Sequence, residues 1–197
     1  MQSPAPVQLF AEEMEMLQGR NHAGITGGRY DEDKLSSANG NQMNFTPNKM
    51  KRILNLYPPY LGAGVKVTYI SADWRELHVS LSRRWYNRNA VGTHFGGSLY
   101  SMVDPHIMLL LMRLLGRDYR VWDTAAGIEF IRASKKQVSA VIKLSDEDLE
   151  QIRRHTAAGE KYFADFDIDI TDAAGSLVAK VHKTIYVRRK GMNCSSQ

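Results

Sequence analysis

Two adjacent glycines and one carboxylate have residue types and a spacing that could perform acyl transfer. Gly96 and Gly97 open an apolar segment, and Asp104 lies seven residues after Gly97. Glycines at a helix start let a ligand approach the backbone closely, and the free N–H groups there favour an anion or a developing oxyanion. Seven residues are about two helical turns, so Asp104 and Gly97 share roughly one side of the helix. The carboxylate could activate water while the N–H groups bind the oxyanion.

The segment 98–115 is predicted to be the helix that positions Asp104. It is apolar almost all round, which is typical of a helix that is buried on most sides. Pro105 lacks an N–H group and crowds the preceding turn, so a kink is predicted next to Asp104. The alternative interpretation is structural, with the two glycines as a packing point and Asp104 as a cap of the kinked helix.

Alternating apolar and polar residues predict antiparallel strands before and after this helix. They include two hairpins, one over residues 65–82 and the other over residues 162–188. In the second hairpin, a turn at residues 172–175 would pair Asp167 with Lys180, which places charges on one face of the hairpin and apolar side chains on the other. The acidic face is interpreted as a solvated surface.

The arrangement of these elements predicts an α+β fold, a curled antiparallel sheet wrapped around a long apolar central helix. An alternating sheet needs something to cover its apolar face, and the buried helix can do so if the sheet curls around it. Short helices are predicted to begin at Thr46-Pro47 and at Ser145, where capping residues precede helical sequence.

The composition is that of an ordinary globular protein. Hydrophobic residues make up 43% and charged residues 24% of the chain, which excludes a disordered or collagen-like protein. The single cysteine, Cys194, excludes an intrachain disulfide and a cysteine-rich zinc site. No stretch reaches the roughly 20 apolar residues of a membrane span, and no export signal is visible. We therefore expect a cytoplasmic protein that does not bind membranes.

The net charge of +5 combines an acidic N-terminal segment with a basic remainder. Residues 1–46 carry three basic and six acidic side chains, a net charge of −3, so the other 151 residues carry +8. We predict an acidic, partly flexible extension over residues 1–46, a folded domain over residues 47–190 and a flexible tail over residues 191–197. The basic surplus suggests an anionic partner. Nucleic acid is not expected, because no binding motif is present and the acidic row at residues 165–169 would repel a phosphate backbone.

The residues between Asn89 and Asp104 resemble a motif of hotdog-fold acyl-CoA thioesterases of the phenylacetyl-CoA thioesterase type. In that family the segment reads approximately N-A-[IV]-G-x-x-H-G-G-x6-D, and this chain has Asn-Ala-Val-Gly from Asn89, Gly-Gly at 96–97 and then Asp104. The strand at residues 127–132 and the order of the elements are also similar. Residues 47–190, about three quarters of the chain, most closely resemble an uncharacterised thioesterase-like branch of this superfamily.

The resemblance implies a role for each matching residue. Asp104 would be the general base or the nucleophile. The Gly96 N–H group would polarise the thioester carbonyl, and Asn89 would position water or the leaving group. Gly97 and Tyr100 would contact the substrate.

The resemblance also implies partners and further binding residues. His94, Phe95 and Thr124 would complete the substrate site, since Thr124 lies near the position where the family often has a helping hydroxyl. The family site spans a dimer interface, so we expect a homodimer or a dimer of dimers acting on an acyl-CoA-type small molecule. The resemblance implies no cofactor and no metal.

The sequence departs from the family motif at two positions. The family histidine directly before the glycine pair is Phe95 here, and Pro105 follows the aspartate in place of the usual small residue. His94 lies one position early, where it could replace the missing imidazole or be only a polar residue at the helix start. Two functions therefore stay open: a thioester hydrolase, or a non-catalytic binder of acyl-CoA or another apolar ligand.

A hotdog hydratase or dehydratase is a third interpretation. Those enzymes typically place an aspartate and a histidine five residues apart in a loop. Asn89 and His94 have that spacing, but an asparagine cannot act as the base.

Overall fold

The computed structural model describes residues 45–191. The predicted extension, apart from its last two residues, and the predicted tail, apart from Gly191, lie outside the described residues, as does Cys194. The division at residues 46 and 190 therefore stays a prediction.

Five helices and six strands make up the described part of the chain. The helices are α1 (Pro47–Leu56), α2 (Pro58–Ala63), α3 (Gly96–Ser101), α4 (His106–Leu115) and α5 (Asp146–His155). The strands are β1 (Val65–Ile70), β2 (Glu76–Leu81), β3 (Tyr119–Phe130), β4 (Val138–Lys143), β5 (Lys161–Asp172) and β6 (Leu177–Arg189).

Both predicted helix starts are confirmed. The Thr46 hydroxyl accepts a hydrogen bond from the Lys49 N–H group at 3.3 Å, and Pro47 is the first residue of α1. At the start of α5, Ser145 and Asp148 form a reciprocal capping box. Each cap satisfies backbone donors that have no partner inside the helix.

The strands form one antiparallel sheet in the order β1-β2-β4-β5-β6-β3. The core contains the inward side chains of this sheet and the apolar side chains of the central helical segment, among them Leu99, Met102, Ile107, Leu110 and Leu111. The predicted α+β class, with an apolar helix covered by an antiparallel sheet, is confirmed.

The central helix is broken rather than kinked. It was predicted as one helix over residues 98–115, but α3 ends at Ser101 and α4 begins at His106. The peptide bond between Asp104 and Pro105 is cis. Because a proline has no N–H group to continue the helical ladder, the chain makes a turn here, and the only acidic residue of the segment lies in it.

A β-bulge in β3 determines which residues of that strand face the core. The pairing with β6 shifts between Asp123 and Ala125, so Thr124 is the extra residue. A bulge moves the alternation of side chains by one position. The residues that face the core side of the sheet are therefore odd-numbered before the bulge, as at Val121. They are even-numbered after it, as at Ile128.

The predicted register of the β5–β6 hairpin is wrong by two residues. Asp167 lies opposite His182, and Lys180 lies opposite Asp169. The turn lies one residue later than predicted, between Asp172 and Leu177, where the Asp172 carboxylate accepts hydrogen bonds from the N–H groups of Ala174 and Ser176. An irregularity between Ile170 and Thr171 shifts the register by one more residue. A two-residue shift leaves every side chain on its face, so the charged and apolar faces are as predicted.

No helix within residues 45–191 is both long enough and apolar enough to cross a membrane.

Candidate functional site

Asp104 lies in a cluster of three charged side chains. The Lys183 ammonium donates a hydrogen bond to Asp104 Oδ1 at 2.6 Å, and its Nζ atom lies 2.9 Å from Asp123 Oδ1. Lys183 is only 2% exposed. A buried charge is costly unless it is paired, so the two carboxylates allow a lysine to occupy this position in the core.

Three separate elements bring these side chains together. Asp104 lies in the break between α3 and α4, and Lys183 lies on the core face of β6 between the buried residues Val181 and Ile185. Asp123 immediately precedes the bulge in β3, opposite Ile185. Because Lys183 is two residues from Ile185 on the same face of the sheet, Asp123 is its diagonal cross-strand neighbour.

Two tyrosines hold Asp104 in place. The Tyr100 hydroxyl donates a hydrogen bond to Asp104 Oδ1 at 3.3 Å, and the Tyr60 hydroxyl donates one to the Asp104 backbone carbonyl. Lys183 and Tyr100 therefore both bind Oδ1, and no hydrogen bond from residues 45–191 reaches Oδ2. The Asp104 side chain is 39% exposed. It thus offers one carboxylate oxygen to a ligand while the other is fixed.

Burial and charge shift the pKa values of the groups around Asp104. Burial raises the pKa of Asp123 above its usual value; the Lys183 ammonium opposes this shift and the charge of Asp104 reinforces it. For Lys183, burial acts to lower the pKa, but the hydrogen bonds and charges of Asp104 and Asp123 outweigh burial, so its pKa is raised. Burial and then the charge of Asp104 raise the pKa of Tyr100. The cluster thus favours an ammonium ion between acidic groups.

His106 lies behind the cluster and is fully buried. Its Nε2 atom is 3.3 Å from the Tyr60 hydroxyl, and the two rings meet edge to face at 5.7 Å between centroids. Burial lowers the pKa of His106 to about 4. The imidazole is therefore neutral in the folded protein near neutral pH.

We predict that His106 makes the protein less stable as the pH falls from 6.5 to about 4. In this window the unfolded chain binds a proton on His106 and the folded protein does not, so acid favours the unfolded state. At about 1.4 kcal/mol per pKa unit, the loss is about 3 kcal/mol. Denaturant unfolding across this range should show a flatter pH dependence for His106→Gln. His155→Gln, which removes an exposed histidine, should keep the wild-type slope; equal slopes in all three proteins would contradict the prediction.

Asn89 and His94 have structural hydrogen bonds in this chain. The Asn89 amide donates to Thr93 Oγ1 at 2.8 Å and to the His94 carbonyl at 3.2 Å, and its Oδ1 accepts from the Thr93 N–H group at 3.0 Å. His94 is buried, and its Nε2 atom lies 2.7 Å from the Lys136 carbonyl oxygen. Within residues 45–191, neither side chain bonds to Asp104. Within one chain, both side chains therefore hold the loop that leads to α3.

Exposed aromatic rings surround the glycine pair at the start of α3. A Cβ on Gly96 would lie 2.8 Å from Phe130 Cζ, and a Cβ on Gly97 would lie 2.5 Å from Phe95 Cε1. Phe95 is 55% and Phe130 60% exposed. No hydrogen bond within the described chain uses the N–H groups of Gly96 or Gly97. Backbone donors and apolar surface therefore lie side by side here.

Thr124 does not contact the charged cluster. Its hydroxyl donates to the Thr184 carbonyl at 2.8 Å, across the bulge. The residue that reaches the charged cluster is Asp123, the neighbour of Thr124 in the chain. Asp123 was not predicted from the sequence.

The structure brings the predicted residues together in two groups. Asp104 and Tyr100 are in contact, whereas Asn89, His94, Phe95, Gly96 and Gly97 form the loop and helix start before them. Lys183 and Asp123 were not among the residues predicted from the sequence. Lys183 could have been recognised from the alternation of β6, because it falls between Val181 and Ile185 on the apolar face of the strand. A lysine on that face requires a charged partner.

The described residues hold no group of three or more histidine, cysteine or acidic side chains placed to bind a metal ion.

The sequence family that matches this chain, over residues 48–187, is described as a domain of unknown function, DUF4442. Among curated proteins, none matches the chain in sequence. A Pseudomonas aeruginosa protein of unknown function, named a probable thioesterase, has a similar structure at 16% identity and a TM-score of 0.64, covering 73% of this chain and 96% of its own.

Two further solved structures have the same architecture. A Chlorobaculum tepidum protein of unknown function is 17% identical with a TM-score of 0.59, covering 74% of this chain and 98% of its own. A Haemophilus influenzae thioesterase is 14% identical with a TM-score of 0.55, covering 76% of this chain and 95% of its own. At these identities the likeness shows the fold, which is the predicted hotdog fold. The chain belongs to the DUF4442 family, and its fold is the hotdog fold.

Proposed function

We propose that this protein hydrolyses the thioester of an acyl-CoA-type substrate. The observation that carries the proposal is the Asp104 carboxylate. It occupies the position of the thioesterase motif's aspartate, its Oδ1 is held by Lys183 and Tyr100, and its side chain is 39% exposed. A general base needs such a fixed, accessible carboxylate within reach of a water molecule.

The proposed reaction uses Asp104 and the Gly96 N–H group. Asp104 Oδ2 takes a proton from water as the water oxygen bonds to the thioester carbonyl carbon, and the Gly96 N–H group donates to the resulting oxyanion. The carbon–sulfur bond then breaks, the thiolate takes the proton from Asp104, and a carboxylic acid and a free thiol are released. In the covalent variant, Asp104 attacks the carbonyl carbon itself, the carbon–sulfur bond breaks and the thiolate leaves. Water then hydrolyses the mixed anhydride to the carboxylic acid and free Asp104, and the thiolate takes up a proton.

In this proposal the two groups come from different subunits. Hydrogen bonds from Met102 to Ser98 and from Asp104 to Tyr100 continue the helical path of α3 as far as Asp104. Eight residues at a rise of about 1.5 Å each place Gly96 and Asp104 about 12 Å apart. One carbonyl group must lie about 3 Å from both the base and the oxyanion donor, which favours Asp104 of one chain and Gly96 of another.

The edges of the sheet support a homodimer through β3. At one edge, the Asn55 side chain pairs with both the N–H and the carbonyl group of Val67 in β1, at 2.8 and 2.9 Å. At the other edge, β3 is 12 residues long and exposes Ala125, Ala126 and Gly127. A long open edge with small residues is a template for another strand. We propose that a second copy of this chain pairs there.

We predict an even-numbered oligomer in solution. Light scattering should give twice or four times the chain mass, and hydrogen exchange should show protected N–H groups along the outer edge of β3. Dilution that dissociates the oligomer should abolish the protection of β3 and leave that of β6 unchanged. A strict monomer, or an oligomer with an unprotected β3 edge, would contradict this arrangement.

Arginines before the site suit the phosphates of coenzyme A. Arg83, Arg84 and Arg88 are exposed in the loop that leads to Asn89. Guanidinium groups bind phosphate by paired hydrogen bonds. Since the thiol portion of the substrate is the part that would carry phosphates, we assign these residues to its recognition.

A non-catalytic binder of acyl-CoA or another apolar ligand is the second candidate function. It is favoured by Phe95, an exposed apolar ring at the position of the family histidine, and by Asn89, whose side chain is already occupied by Thr93 and His94. Such a site would hold an acyl group without supplying a polar group to the leaving thiol.

One experiment separates the two functions. Thiol release is measured with a panel of acyl-CoA substrates of different chain length and with phenylacetyl-CoA, and thermal unfolding is measured with the same compounds. Hydrolysis supports the first proposal. Thermal stabilisation without hydrolysis supports the second, and the absence of both would contradict both.

A further inference from the structure

Lys183 is a charged residue that neither the fold nor the proposed roles of Asp104 and Gly96 account for. It takes a core position of β6 at which its neighbours on the same face are Val181 and Ile185. An apolar residue there would complete the core without the cost of burying an ammonium ion. Lys183 instead directs its charge to Asp104 Oδ1 at 2.6 Å.

We propose that Lys183 is a positioning residue, which holds Asp104 for the reaction. We also propose that Asp123 weakens the effect of Lys183 on Asp104. Lys183 fixes Oδ1 of Asp104, so that Oδ2 is the oxygen that faces the substrate. Asp123 shares the same ammonium ion at 2.9 Å and so reduces its effect on Asp104. This inference rests on the proposed function, since it concerns the base of that reaction.

Five groups face Asp104 from the elements around it. They are Lys183 from β6, Asp123 from β3, Tyr100 from α3, Tyr60 from α2 and His106 from α4. Tyr60 binds the backbone carbonyl, and burial lowers the pKa of His106 to about 4, so His106 is neutral above that pH and is the same in every variant compared. In that range Lys183 and Asp123 are the two groups that act on Asp104 through their charge, and their effects are opposite in sign.

Because Lys183 and Asp123 affect Asp104 in opposite directions, replacing each of them separately tests the proposal. In Asp123→Asn, Asp104 receives the whole of the Lys183 charge and loses a negative neighbour, so the acid limb of the kcat/KM profile should move to lower pH. In Lys183→Met, Asp104 keeps only the negative neighbour, so the acid limb should move to higher pH. Loss of an opposite charge at this distance typically shifts a pKa by about one unit or more, which in Lys183→Met is a tenfold change in rate on the acid limb. The shift in Asp123→Asn should be smaller, because burial raises the pKa of Asp123 and part of its charge is already lost at acid pH.

Conservative and distant substitutions serve as controls. Lys183→Arg, which keeps the positive charge, should return the acid limb towards its wild-type position. Lys180→Met removes a lysine of the same strand from the exposed face, where Lys180 lies 3.8 Å from Asp169, and should leave the profile unchanged. If Lys183→Met does not fold, the double variant Lys183→Met/Asp123→Asn is compared with Asp123→Asn, and its acid limb should lie at higher pH.

A second readout separates this inference from the proposed function. Carbon-13 NMR of the aspartate carboxyl groups, with signals assigned by Asp104→Asn and Asp123→Asn, follows the titration of Asp104 without any substrate. Opposite displacements of that titration in the two single variants support the inference even in a protein that hydrolyses nothing. Displacements in the same direction, or none, would overturn it even in a protein that hydrolyses acyl-CoA.

Discussion

Asp104→Asn should lower kcat for acyl-CoA hydrolysis by about 10²–10⁴, which is the usual contribution of a general base. Asparagine has nearly the same shape, and its Oδ1 can still accept the hydrogen bonds of Lys183 and Tyr100. Lys183 also keeps Asp123 as a partner at 2.9 Å. The substitution therefore removes the basic oxygen while it leaves the packing and the charge pairing of the cluster in place.

Asp169→Asn is the matched control. Asp169 is an exposed aspartate on the outer face of β5, with Lys180 at 3.8 Å, and its loss should change kcat less than twofold. Both variants are compared with the wild type in thiol release and in thermal unfolding. A folded Asp104→Asn protein that hydrolyses the panel at the wild-type rate would exclude Asp104 as base or nucleophile.

Lys183→Met should lower the free energy of unfolding by about 3–5 kcal/mol, the usual cost of breaking a buried ion pair from one side. Methionine fills nearly the same space, so the loss arises from charge and not from a cavity. Asp104 and Asp123 would then lie next to each other without a counter-ion, and each desolvated carboxylate would lose its charged partner. Urea denaturation at neutral pH measures the loss.

The triple variant Lys183→Met/Asp104→Asn/Asp123→Asn tests the cause. With all three charges removed, most of the lost stability should return, because no unpaired charge remains in the core. Lys180→Met, on the exposed face of the same strand, should stay within about 0.5 kcal/mol of the wild type. A triple variant as unstable as Lys183→Met would show that the lysine stabilises the protein by packing.

The elements of the fold that depend on local pattern could be predicted from the sequence. Alternation located β1, β2, β4, β5 and β6, and capping residues located the starts of α1 and α5. Only the end of β3 was predicted, near residues 127–132, although the strand begins at Tyr119. The hairpin register could not be predicted to the residue, because the turn at Asp172 is set by side-chain hydrogen bonds to Ala174 and Ser176. An error of two residues conserves the faces of both strands, so the pattern itself cannot detect it.

The candidate site could be predicted only in part. Asp104 stands out in an apolar helix, and the resemblance to the thioesterase motif assigned it a role. Asp123 could not be found, because its contact with Lys183 depends on the pairing of β3 with β6. The two residues are 60 positions apart in the chain, so the alternation of β6 marks Lys183 as unusual but does not identify its partner.

The ring of Phe95 couples positions 95 and 97 of the chain. A Cβ on residue 97 would lie 2.5 Å from Phe95 Cε1, so any side chain at position 97 must displace the ring. Glycine at position 97 thus lets the Phe95 ring lie against the backbone at the start of α3.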